Sequence, residues 1–118
     1  MGKKVLYEKL KSLDGGVWIG ERSSVSWEDY LPSDIETVVE DWSPLRDDPG
    51  SSAGFEIYYS PKYDEFYLRE WRHEFATNSG NRVTIVNKET VINYIIREQV
   101  IGKLSDEWKK ELGFEEEI

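Results

Sequence analysis

The chain has 118 residues, which fits one domain, and its 14% aromatic share can fill much of one core; its formal net charge is −9. It has no cysteine, so disulfides, thiolate metal centres and cysteine nucleophiles are excluded. The acidic balance argues against sequence-independent binding to a phosphate backbone, which needs a basic footprint.

The basic opening Met1-Gly2-Lys3-Lys4 is not followed by an apolar run of secretion-signal length. No run approaches the roughly 18 apolar residues that span a bilayer. With the missing cysteines, this predicts a soluble cytoplasmic chain. Residues 3–13 read as a short helix with Val5, Leu6, Leu10 and Leu13 on one side, broken by Asp14-Gly15-Gly16. Residues 16–21, centred on Val17-Trp18-Ile19, read as a strand. Ser33-Asp34-Ile35-Glu36 fits a capping box, and Ile35, Val38, Val39 and Trp42 recur at helical spacing, which predicts an amphipathic helix. Residues 43–54, rich in Pro, Gly and Ser, read as an exposed loop of about a dozen residues.

Phe55–Tyr59 and Glu65–His73 read as two antiparallel strands joined by a turn over 60–64. A helix over 61–75 is the alternative, because Tyr63, Tyr67, Trp71 and Phe75 share one i+4 line. The aromatic content and the strand-like neighbour favour strands. Residues 82–86 form a third strand of this group. Asn87 caps a helix to about Gln99 with core face Val91, Ile92, Ile95 and Ile96, and Ser105 caps a last helix stopped near Gly113. The expected fold is α+β: a small, mainly antiparallel sheet of three to four strands, packed on one face by helices in the order α-β-α-β-β-β-α-α. Residues 1–114 form one domain, and 115–118 a frayed acidic tail.

The catalytic inventory is thin. His73 is the only histidine and sits at a strand end, and no Gly-x-Ser-x-Gly elbow or Gly-rich phosphate loop occurs. Carboxylates are abundant, but none stands out as a glycosidase-like pair or as a calcium-binding loop. The expectation is therefore no enzyme, no catalytic residue, no metal and no cofactor.

Two surfaces remain as binding candidates. A register that sets Tyr59 opposite Phe66 also pairs Ile57 with Leu68 and Glu56 with Arg69. One face then carries Phe55, Ile57, Tyr59, Phe66 and Leu68 for packing against helices. The other carries Tyr58, Tyr67, Arg69 and Trp71, residue types common at interface hot spots and able to stack on bases. The second candidate is acidic. Residues 27–48 hold eight acids (Glu28, Asp29, Asp34, Glu36, Glu40, Asp41, Asp47 and Asp48) against Arg46, a net −7. On the expected helix, Glu40 and Asp41 stand at the end where the dipole disfavours them, a placement that the helix itself does not explain.

The leading expectation is a non-enzymatic binding protein whose acids occlude a basic, nucleic-acid-handling protein partner, in the manner of toxin-immunity proteins or phage DNA mimics. Neither duplex nucleic acid nor a membrane is an expected partner. The alternatives are a single-stranded nucleic-acid or small-ligand binder using the aromatic hairpin face, and a structural adaptor subunit.

Overall fold

The computed structural model describes residues 3–45, 50–74 and 79–114. Its elements are α1 (Lys3–Ser12), β1 (Val17–Gly20), β2 (Glu36–Pro44), β3 (Ser52–Ser60), β4 (Glu65–His73), β5 (Gly80–Val86), α2 (Lys88–Glu98) and α3 (Asp106–Glu111). Short 3-10 turns occupy Trp27–Tyr30 and Ile101–Lys103. The five strands form one antiparallel sheet in the order β1-β5-β4-β3-β2. No helix among the described residues is long and apolar enough to cross a membrane.

The hairpin register is the expected one: Tyr59 faces Phe66, Ile57 faces Leu68 and Glu56 faces Arg69. Successive side chains of a strand point to opposite faces, so this register feeds two separate cores. Phe55, Ile57, Phe66 and Leu68 pack with Val91 and Ile95 of α2 and with Leu104 and Leu112 around α3. Tyr58 and Tyr67 point the other way and pack with Leu6, Tyr7 and Leu10 of α1, and with Tyr30 and Leu31. Helices therefore cover both faces of a five-stranded sheet, where one covered face and three to four strands were expected.

The predicted helix over 33–42 is a strand. Its helical spacing arises from a β-bulge between Thr37 and Val39. The extra residue lets consecutive Val38 and Val39 both enter the core shared with α2 and α3, whereas Ile35 packs in the opposite core and Trp42 is exposed. The β-branched run Thr37-Val38-Val39 favours extended backbone, and that preference prevails over the apparent period. Ser33 does not open a capping box. The capping box lies instead at Ser26, whose hydroxyl caps the turn over Trp27–Tyr30 while its N–H donates to Asp29 Oδ2 at 3.0 Å. The predicted loop over 43–54 shrinks, because Ser43 and Pro44 belong to β2 and Ser52, Ala53 and Gly54 to β3. The alternative helix over 61–75 is replaced by β4.

Both C-terminal helices start at the expected caps. Thr90 N–H donates to Asn87 Oδ1 at 2.8 Å, and Trp108 N–H donates to Ser105 Oγ at 3.2 Å. On α1, Leu6, Tyr7 and Leu10 are buried while Val5 is exposed, as is Leu13 just past its end; on α2, Ile96 is exposed. The expected fraying of 115–118 lies outside the described residues.

Glu65 ties α1 to the sheet. Its carboxylate accepts hydrogen bonds from the Tyr7 hydroxyl and, at 2.9 Å, from the fully buried Tyr67 hydroxyl. Burial and the bond to Glu65 push Tyr7 up to about 12, and Tyr67 is raised by burial and by its bonds to Tyr7 and Glu65. A group whose folded pKa is raised contributes stability that is full below its free value of about 10 and is lost as pH rises above it. The chain is thus expected to lose stability steadily above about pH 10, the free tyrosine value. Tyr67→Phe is expected to be less stable at neutral pH, by about 1 kcal/mol for the lost hydrogen bond, and to decline less steeply with alkali. Denaturant unfolding of both chains at neutral and alkaline pH measures the two slopes.

Candidate functional site

The aromatic hairpin face is closed. Tyr58 is 5% exposed and Tyr67 is 0% exposed. Trp27 stacks on Tyr58 at 5.6 Å between ring centroids, and the Arg69 guanidinium lies 4.1 Å over the Trp27 ring. Arg69 also pairs with Glu56, and its Nε donates to Asn81 Oδ1 at 2.8 Å. The guanidinium thus joins the turn at 27–30, through Trp27, to β3 and β5 of the sheet. Of the four residues expected to form a stacking platform, only Trp71 keeps partial access to solvent without such a covering layer.

The acids divide by task. Asp29 closes the Ser26 capping box. Asp34 accepts from the Ser60 hydroxyl at 2.8 Å and from Lys62 N–H at 2.9 Å, bracing the turn between β3 and β4. Asp41 is ion-paired with Lys103. Glu28, Glu36 and Glu40 are exposed, and their carboxylates bond to no described residue. Asp47 and Asp48 lie outside the described residues. Because residues 36–44 form a strand, the helix-dipole argument for Glu40 and Asp41 falls away.

A different grouping of acids emerges where the β3–β4 end of the sheet meets α2 and α3. An open cleft of about 990 Å³ is lined there by Glu36, Asp64, Glu65, Glu107 and Glu111, with Lys88 as the one cation among the described lining residues. Glu65 turns its carboxylate to Tyr7 and Tyr67 on the other face, so four carboxylates against one ammonium leave the cleft a net −3. The apolar wall is aromatic: Tyr59 lies 5.4 Å from Trp108 and 4.9 Å from Phe66, centroid to centroid. The Tyr59 hydroxyl donates to Asp64 Oδ1 at 2.6 Å, and this bond, with burial, pushes it up to about 12. Lys88 stands 4.0 Å from Glu111, the limit of an ion pair, so the cleft keeps most of its negative charge.

Only Glu36 of this set was among the expected partner-binding acids. The signal for two others was present in the i,i+4 spacing of Glu107 and Glu111, which sets both on one side of α3. Asp64 and Glu65 join the cleft only because the turn between β3 and β4 folds beside α3.

His73 is exposed, with Nδ1 3.5 Å from Glu21 Oε2 and no nucleophile among the described residues bonded to it. Among the described residues, no group of three or more His, Asp or Glu side chains is placed to hold a metal ion. Comparison with protein-family models, with curated proteins and with solved structures finds no match in any of the three.

The hydrogen bonds from Lys62 N–H, first, and Ser60 hold the Asp34 carboxyl below the ordinary carboxylate range. A lowered folded pKa contributes stability that is present above the free value of about 3.9 and is lost as pH falls through the folded value. Asp34→Asn is expected to melt at a lower temperature than the native chain at neutral pH. The gap should close as pH falls below about 4, where the native carboxylate also protonates. Thermal melts across this range measure both.

Proposed function

We propose that this protein is a non-enzymatic binding module whose acidic cleft engages a positively charged protein partner. The observation that carries this reading is the cleft between the β3–β4 turn and α3, where Glu36, Asp64, Glu107 and Glu111 line the walls with Lys88, beside Tyr59 and Trp108. Carboxylates attract ammonium and guanidinium groups, and aromatic faces accept the same cations once water is displaced, by about 0.5–2 kcal/mol per contact. Both components of the site favour the same chemistry.

The partner class follows from the charge. A chain of net −9 attracts basic surfaces over several ångströms, and positively charged clefts are characteristic of enzymes that handle nucleic acids. Blocking such a cleft would inhibit its owner, the mode of action of toxin-immunity proteins and DNA mimics. The burial of Tyr58 and Tyr67 weighs against base stacking on the hairpin as a competing reading.

Binding to a basic nuclease or to an oligolysine peptide is expected to weaken at least about tenfold between low and physiological salt, as electrostatically steered association does. The double substitution Glu107→Gln and Glu111→Gln should weaken it further, while Glu8→Gln on exposed α1 leaves it unchanged. Titration calorimetry at two salt concentrations measures both effects. Affinity indifferent to salt and to the α3 pair would refute the cleft as the binding site.

A further inference from the structure

Among the described residues, β2 forms one edge of the sheet and pairs with β3 alone. It is nine residues long, against four for β1 at the opposite edge. Beyond the bulge at Thr37/Val39 it runs regularly to Pro44, and residues 39–44 make no backbone hydrogen bond to any described residue outside β3. The outer N–H and C=O groups of this stretch therefore form a template for another strand.

The charges across the sheet determine what that strand should carry. Glu40 stands directly opposite Glu56, and Glu56 directly opposite Arg69. Like charges directly opposite each other destabilise a sheet. Arg69 neutralises Glu56, but it is also bonded to Asn81 and seated on Trp27, so it does not serve Glu40 as well. Asp41 is neutralised by Lys103. Glu40 is left as the unneutralised end of the row, one strand-spacing from the position an added strand would occupy.

Beside Glu40 on the same face, Trp42 is 64% exposed. A shallow groove of about 650 Å³ runs past it to Trp71. Gly54 stands opposite both Trp42 and Trp71, and its missing side chain lets the Trp71 ring close over it: a Cβ there would fall 2.6 Å from Trp42 Cβ and 2.7 Å from the Trp71 ring.

We propose that the outer edge of β2 accepts an extended basic segment of the partner as a sixth strand. A Lys or Arg on that segment pairs with Glu40 and lays its stem along Trp42. This deepens the binding reading above and rests on it, since both require a positively charged partner. A second copy of this chain is a poor occupant. Symmetric antiparallel pairing about Glu40 would set that carboxylate against its own copy, between two chains of net −9. A neutral strand would leave Glu40 unpaired.

The test uses the full chain and two nine-residue probes that alternate Val or Thr with Lys in one and with Glu in the other. The lysine peptide is expected to slow amide hydrogen exchange within residues 39–43 by at least about tenfold, the mark of newly bonded backbone. It should also shift tryptophan emission, and Trp42→Ala should abolish the shift. Glu40→Lys, an exposed change, should reverse the preference toward the glutamate peptide. If the lysine peptide binds but perturbs only Glu107, Trp108 and Glu111, strand addition is wrong and the acidic cleft stands alone. If both peptides protect 39–43 equally, the pairing with Glu40 is wrong. If neither peptide binds at low salt, strand addition and the acidic-binding reading fail together.

Discussion

The pairing of β3 with β4 determines which side chains enter which core. Both strands are apolar on both faces, so each supplies residues to two layers: Ile57 and Leu68 to the α2 and α3 side, Tyr58 and Tyr67 to the α1 side. A slip of one residue would exchange the two sets and present tyrosines to a space shaped for aliphatic side chains. That register is held at its turn end by Asp34, which bonds Ser60 and Lys62, and by Glu65, which bonds two tyrosines. Carboxylates at this end of the sheet thus act as structural clamps before any of them is available to a partner.

The same division organises the electrostatics. Asp29, Asp34, Asp41, Glu56 and Glu65 each have a hydrogen-bond or ion-pair partner within the fold. The negative potential open to another molecule comes from acids that the fold leaves over: Glu36, Glu107 and Glu111 around the cleft, and Glu40 along the edge. β2 links the two places, since Glu36 at its start lines the cleft and Glu40 lies further along the same strand. A partner reaching from the cleft along this edge would meet carboxylates at one end and an indole at the other.

Local chemistry made much of the chain readable in sequence. Asn87 and Ser105 announced their helices because a cap is a contact between residues three apart, and the β3–β4 register followed from alternation across a short turn. Two features misled. Ser33 to Glu36 has the composition of a capping box, but Asp34 is bonded to residues 26 and 28 positions away. Ile35, Val38, Val39 and Trp42 have the spacing of a helix face because a bulge shifts a strand's alternation by one residue.

By itself, then, the amino-acid order determined the acidity, the absence of thiol chemistry, the class of fold and the hairpin register, all of which depend on composition or near neighbours. Tertiary structure alone decided that the sheet is covered on both faces, that Tyr58 and Tyr67 are buried, and that Glu36, Asp64, Glu107 and Glu111 converge on one cleft. Those acids come from β2, the β3–β4 turn region and α3, and no local pattern records which distant segments will share a surface. The small acidic domain therefore carries its accessible charge where β2 and α3 meet the end of the sheet, a location set by packing between residues up to 75 positions apart.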